Sequence, residues 1–282
     1  MMAAATEKSR AVNGFAEGKC TGDVRALLLD AGGVLVYPTY GSWLKTKDYD
    51  HIMEKYLRDI PPEKHWHAVG LAAQKYNDAA QISTEEEEVC RDRAFFTLCY
   101  RETLGLPITD AELDALAYGR GADPDRFSFY EDALPALKYF HERYKLALVS
   151  DTTPLLITFF KKYDALQYFD ALSVSYEHGV LKPAPVMYTA ALERLGERVD
   201  GLGVALDRRG VEDLGVAPEE ALFIDDLEKN LDGAASFGIR TVKMERSFYG
   251  EERKRPGTGW KGPVVKTLLG EESLEELLEK TS

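Results

Sequence analysis

Asp30 follows the apolar run Ala26-Leu27-Leu28-Leu29 and precedes Ala31-Gly32-Gly33-Val34-Leu35. A carboxylate at the carboxyl end of such a run, with two glycines behind it, sits where open α/β sheets bind ligands. The glycines allow a sharp turn and a close backbone approach to that ligand. Taken alone, Asp30 also fits an Asp that caps its own turn. Three later segments bear on the choice. Ser150-Asp151-Thr152 ends a second apolar run, and Lys182 stands in Gly179-Val180-Leu181-Lys182-Pro183. Asp225-Asp226 ends Ala221-Leu222-Phe223-Ile224 and is followed by Asn230 and Gly233-Ala234-Ala235. Singly, Ser150 reads as a helix cap, Lys182 as a surface charge and Asp225-Asp226 as a cap of the next helix. Together they supply two carboxylate sites, a hydroxyl and an ammonium, which is the chemistry a phosphate ester needs.

The elements that position these groups alternate. Strands are expected at 26–29, 145–149, 170–175, 221–224 and 240–244, with helices at 132–144, 154–162, 183–195 and 227–237. Strands alternating with helices mean βαβ units and a parallel sheet. The fold class is therefore α/β, a Rossmann-like parallel sheet flanked by helices. Between the first strand and about residue 125 the pattern is helical. Val36-Tyr37-Pro38 and Gly41 mark a turn, and helices are expected at 48–58, from Pro62 through Tyr76, from Ser83-Thr84 onward, and at 109–118. Thr84 followed by Glu85 to Glu88 is a capping-box signature with acids at the positive helix end, which accounts locally for the acidic run. Gly119, Gly121, Asp123 and Pro124 read as a loop and hinge. The expected organisation is a tail over 1–23, a core made of 24–38 and 126–282, and an inserted helical cap over 39–125. Residues 197–215 form a glycine-rich excursion, 251–263 a basic surface loop, and 273–280 a short terminal helix.

The chain of 282 residues has room for a sizeable core and a second small domain. Its net charge of −13 argues against a nucleic-acid or anionic-membrane partner. No apolar stretch approaches the length of a bilayer span. Cys20, Cys90 and Cys99 lack metal-ligand spacing, so a reducing, cytoplasmic compartment is expected. The first 22 residues have no apolar signal core.

The order and content of the four segments resemble the haloacid dehalogenase superfamily, a group of mainly Mg²⁺-dependent phosphatases. The most specific part is Phe223-Ile224-Asp225-Asp226 with Asn230, Gly233-Ala234 and Gly238, and the helical insert is similar to the family's type 1 cap. The resemblance implies that Asp30 attacks phosphorus and forms an aspartyl-phosphate. It implies Mg²⁺ on Asp30, Asp225 and the backbone carbonyl of Gly32, with Asp226 orienting Lys182 or a metal-bound water. Ser150 and Lys182 would hold the phosphate oxygens, with Asp151, Gly32 and Gly33 beside the substrate.

Position 32 departs from the family pattern, because most of its phosphatases carry there the second Asp that protonates the leaving oxygen. Loss of a positioned acid/base costs roughly 10²–10⁴-fold. The departure fits a phosphatase whose substrate has a good leaving group, such as a sugar 1-phosphate or acyl phosphate. The D-x-G-G motif itself resembles the branch of bacterial glucose-1-phosphatases and epoxide-hydrolase N-terminal domains. The departure also fits a weak or inactive binding protein, or a dehalogenase or phosphonatase. A phosphonatase would need a cap lysine, for which Lys45, Lys47, Lys55 and Lys64 are available. His51, His65 and His67 are candidates for a substitute acid. Tyr37, Tyr40 and Trp43 stand ready either to touch a substrate or to pack at the hinge. The sequence leaves the substrate and the oligomeric state open.

Overall fold

A computed structural model describes residues 23–76, 82–196, 215–246 and 259–281. Six strands form one parallel sheet in the order β5-β4-β1-β6-β7-β8. They are β1 (Ala26–Leu29), β4 (Lys145–Ser150), β5 (Ala171–Val174), β6 (Ala221–Asp225), β7 (Arg240–Met244) and β8 (Val264–Val265). All four residues of β1 are fully buried, because a parallel sheet is covered on both faces. Alternation along the strands divides the core in two. Leu27, Leu29, Leu146, Leu148, Leu222 and Ile224 pack against α5 (Ala133–His141), α6 (Pro154–Lys162) and α10 (Leu274–Thr281). Ala26, Leu28, Ala147, Val149 and Phe223 face α8 (Pro185–Gly196) and α9 (Glu228–Ala235). Each buried leucine contributes about 1.5–3 kcal/mol through the apolar area removed from water.

The helical region has its own apolar cluster, built on Met53, Ala68, Phe95, Phe96, Tyr100, Leu113 and Leu116. Its helices are α1 (Tyr49–Leu57), α2 (Pro62–Tyr76), α3 (Glu85–Phe96) and α4 (Asp110–Gly121). Thr84 caps α3 in a full capping box with Glu87, as the spacing predicts, and Thr109 does the same for α4 with Glu112. A π-helical turn over Thr97–Thr103 continues α3. No helix among the described residues is long and apolar enough to cross a membrane.

Several expectations change. Val36-Tyr37-Pro38 is not a turn but the strand β2, paired antiparallel with β3 (Phe127–Phe129) where the chain returns to the core. Gly119 and Gly121 belong to α4 rather than to a hinge loop. A Cβ on Gly121 would lie 2.7 Å from the Val89 backbone nitrogen, so this glycine lets α3 and α4 pack in close contact. Ser175 begins a short helix, α7 (Ser175–His178), instead of ending a strand. Pro183 follows a cis peptide bond, and α8 starts at Pro185. The tail over 1–22, the excursion over 197–214 and the segment 247–258 lie outside the described residues, as does Cys20. Cys99 is buried in the helical cluster and Cys90 is exposed.

Candidate active site

The site grows from the strand order. β1 stands between β4 and β6, with Leu29 in register with Leu148 and Ile224. The connections leave β1 in opposite directions at this point, and such switch points open a crevice at the carboxyl ends of the strands. Asp30 lies one step beyond Leu29, its amide donating to the Ile224 carbonyl at 3.0 Å. Ser150 ends β4 and Asp225 ends β6, so residues far apart in sequence meet at one edge.

Lys182 ties them together. Its ammonium lies 2.8 Å from Asp30 Oδ1 and 2.7 Å from Asp225 Oδ2, and it donates to the Val149 carbonyl at 3.1 Å. These partners account for all three of its protons. The expected orientation of Lys182 by Asp226 is therefore replaced by orientation through Asp225. Asp225 is fully buried and also accepts from the Leu227 amide at 2.7 Å and from Asn230 Nδ2 at 3.1 and 3.0 Å. Asp151 caps no helix. Its carboxylate accepts from the Lys182 amide at 2.7 Å and so fastens the loop after β4 to the lysine segment.

Burial pushes the Asp30 carboxyl up, to about 8, against the pull of Lys182, with Asp225 and Asp226 adding to the rise. Burial pulls the Lys182 amine down, but Asp30, Asp225 and Asp151 together outweigh it and hold it above the ordinary lysine range. A lysine among three carboxylates stays charged.

Gly33 has φ +76°, which favours glycine, and a Cβ there would stand 2.6 Å from Asp226 Oδ2. Asp226 is thereby brought against the first loop. Oxygens of Asp30, Asp225 and Asp226 lie within 4.8 Å of one another. Asn230 beside them is buried and its Oδ1 has no hydrogen-bond partner. A set of hard oxygen donors of this kind fits Mg²⁺.

A cavity of about 500 Å³ opens over this edge. Asp30, Gly32, Ser150, Asp151, Lys182 and Asp226 line it from the sheet. Trp43, Glu88, Arg91, Arg120 and Arg126 line it from the other side. A Cβ on Gly32 would touch the Trp43 ring at 3.4 Å, so the indole flanks the position where a second carboxylate would stand. Trp43 also packs on Phe127. Tyr37 packs on Tyr130, and neither Tyr37 nor Tyr40 is among the residues that line the cavity. None of His51, His65 and His67 lines it either. His65 stacks on Tyr100 inside the helical cluster, 3.3 Å from the hydroxyls of Tyr49 and Tyr100. Lys45 and Lys55 pair with Asp50 and Glu112, and Lys47 and Lys64 are exposed, away from the cavity lining.

The acidic run does more than cap a helix. Glu88 is buried, and its carboxylate accepts from Thr153 Oγ1 at 2.5 Å and from the Leu155 amide at 3.3 Å, at the start of α6. Glu85 reaches Thr158 on the same helix. Burial, reinforced by Asp92, pushes the Glu88 carboxyl up to about 7 against its hydrogen bond from Thr153. Ser175 was also missed. Its hydroxyl bridges the amide and carbonyl of Thr152, at 2.8 and 2.9 Å, and so steadies the loop after Ser150.

A sequence profile described as haloacid dehalogenase-like hydrolase matches residues 24–238. The chain is similar to glyceraldehyde 3-phosphate phosphatase of Methanopyrus kandleri, 30% identical over 131 residues, which cover 45% of this chain and 47% of that one. It is also similar to acyl-CoA dehydrogenase family member 10 of Mus musculus, 35% identical over 78 residues, 28% of this chain and 6% of the relative. Each match thus spans less than half of the relative's length. Among solved structures, the HAD phosphatase from Thermococcus onnurineus has TM-score 0.50 and 19% identity, with 92% of this chain and 98% of that one covered. The L-2-haloacid dehalogenase from Xanthobacter autotrophicus has TM-score 0.55 and 20% identity over 92% and 98% of the two chains. At these identities the structural likeness shows the fold.

Proposed function

The chain belongs to the haloacid dehalogenase-like hydrolases, and on that premise we propose a Mg²⁺-dependent phosphatase of small phosphorylated metabolites. The observation that carries the reading is the group of Asp30, Asp225 and Asp226, with oxygens within 4.8 Å of one another, beside Lys182 at the base of the cavity. Transfer of a phosphoryl group needs cations and fixed donors around its oxygens. Release of a halide needs no carboxylate cluster of this kind.

In this reading the three aspartates, with the Gly32 carbonyl, hold the metal, which supplies charge neutralisation for the phosphoryl oxygens. Lys182, 2.8 Å from Asp30, pulls against the burial that raises the Asp30 carboxyl and adds a second positive charge, and bound metal would complete the shift to the ionised form. A carboxylate oxygen of Asp30 forms a bond to phosphorus as the ester P–O bond breaks, giving an aspartyl-phosphate. The leaving oxygen takes its proton from water, since Gly32 offers none. A second water then cleaves the acyl phosphate, releasing inorganic phosphate and restoring Asp30. This arrangement suits esters with a good leaving group, such as sugar 1-phosphates and acyl phosphates. Residues 39–125 act as the cap that encloses the substrate, on a core formed by 24–38 and 126–282.

Phosphate release from a panel of sugar phosphates, nucleotides and acyl phosphates tests the proposal. Activity is expected with Mg²⁺, to be lost with a chelator, and to fall at least about 10³-fold in Asp30→Asn. Turnover indifferent to Asp30→Asn, or halide release from a haloacid without metal, overturns it.

A further inference from the structure

The cavity has a second charged wall that phosphoryl transfer does not use. Arg91 stands on α3, Arg120 on α4 and Arg126 just beyond α4, and all three line the cavity. Their acidic neighbours are Asp92 and Glu88. Arg91 donates Nε and Nη2 to Asp92 Oδ1 at 3.3 and 3.1 Å, and Arg120 Nε stands 3.8 Å from Asp92 Oδ2. Arg126, only 7% exposed, donates to the Arg120 carbonyl and, at 2.6 Å, to the Trp43 carbonyl.

Two buried donors, Arg120 Nη1 and Arg126 Nε, lack a hydrogen-bond partner, as does the acceptor Asp92 Oδ2 beside them, and the Arg120 guanidinium lies over the Phe95 ring at 4.4 Å. Unsatisfied buried donors are costly, and a charged one more so. Three guanidiniums outnumber the two acids, and Glu88, 4.0 Å from Arg91 Nη2, shares its oxygens with Thr153 and Leu155. The crowding shows in Arg126, which burial pushes down to about 10 with Arg120 and Arg91 adding to the fall. The wall is also built firmly, since Arg91 and Arg120 flank the crossing where Gly121 meets the Val89 backbone. Three guanidiniums on one wall of a cavity, set against two acids, offer a receptor for an anion. The phosphoryl group already has its place at the strand ends.

Resting on the phosphatase reading, we propose that Arg91, Arg120 and Arg126 bind a second anionic group on the substrate. The substrate class is then small phosphomonoesters whose far end carries a carboxylate or a second phosphate. A cavity of about 500 Å³ is of a size that takes such a metabolite.

Three matched three-carbon esters separate the possibilities: propyl phosphate, 3-phosphooxypropanoate and propane-1,3-diol bisphosphate. Dissociation constants by calorimetry on the Mg²⁺-loaded protein, together with phosphate release, are the readouts. One or both acid-tailed esters are expected to bind at least about tenfold tighter than propyl phosphate, as charge-assisted hydrogen bonds imply. Whichever tail gains identifies the anion. That ratio is expected to collapse in Arg120→Met and to shrink in Arg91→Gln, the less buried position, with circular dichroism checking the fold of each. Equal binding of all three esters, or a ratio untouched in both folded variants, overturns the inference. The phosphatase reading is judged on an acyl phosphate, whose leaving group needs no acid: no phosphate release from it sinks that reading, while preferential binding of an acid-tailed ester leaves the anion subsite standing. Release from the acyl phosphate with equal binding of the three esters does the reverse.

Discussion

At the scale of single residues, Gly33 shows how little space the site leaves. Its φ of +76° and the 2.6 Å separation between a notional Cβ and Asp226 Oδ2 make it a position for glycine alone. Gly33→Ala is expected to add about 1–2 kcal/mol of backbone strain. It also displaces Asp226, so Mg²⁺ affinity should fall about 10–100-fold, the range for residues that support metal ligands. Calorimetric Mg²⁺ titration checks this, and wild-type affinity in a folded Gly33→Ala protein contradicts it. Asp30, Ser150 and Asp225 could be picked out from the sequence because each stands at the end of an apolar run, and Lys182 because it precedes Pro183, although α8 begins only at Pro185. The division of labour between Asp225 and Asp226 was not. It depends on which carboxylate the buried lysine meets, and that lysine comes from a segment more than forty residues earlier in the chain. Trp43 against Gly32 was equally hidden, since an aromatic residue just past a turn packs or binds according to what lies opposite it.

At the scale of elements, α3 carries the contrast. The Thr84–Glu87 box could be read directly from spacing, because a cap is satisfied within four residues. Glu85, Glu88 and Asp92 recur at helical spacing on one side of the same helix, and their meaning depends on α6 and α4. Burial of Glu88 is stable because Thr153 and the Leu155 amide donate to it. Glu88→Ala leaves that amide without its partner and is expected to cost about 1–3 kcal/mol. Urea unfolding measures the loss, and a change below about 0.5 kcal/mol would mean that the contact does not fasten α3 to the core. The same reasoning explains the glycines of α4. Gly121 reads as a helix breaker on propensity, yet the close approach to Val89 decides its place. The short strands β2 and β3 escaped notice because three residues hold no period, and their pairing joins positions about ninety residues apart.

At the scale of the whole molecule, the buried carboxylates govern stability against pH. The folded chain raises the Asp30 carboxyl from 3.8 to about 8 in the absence of metal, so it holds the proton more tightly than the unfolded chain. This contribution is fully present below about pH 4 and is lost as pH rises through about 8. A divalent cation reverses the balance by favouring the ionised form. The gain in Tm on adding Mg²⁺ is therefore expected to be larger at pH 8 than at pH 6, and Asp30→Asn should flatten the difference. Equal gains at both pH values in the unmodified protein contradict it. Five strands of the sheet were readable from the alternation of apolar runs and helices, since each announces itself locally, whereas β8, two residues long, was not. The order of the strands carries a further consequence for how the protein is made. β1 leaves the ribosome early, but its two parallel partners begin at Lys145 and Ala221. Pairings this distant in sequence are slow to close. Until β6 emerges, one edge of β1 is bare, and a bare apolar edge invites the wrong neighbour. A chain interrupted before Ala221 would carry Asp30 and Lys182 as an adhesive half-sheet, so the segment that completes the candidate site is also the one that ends the hazard.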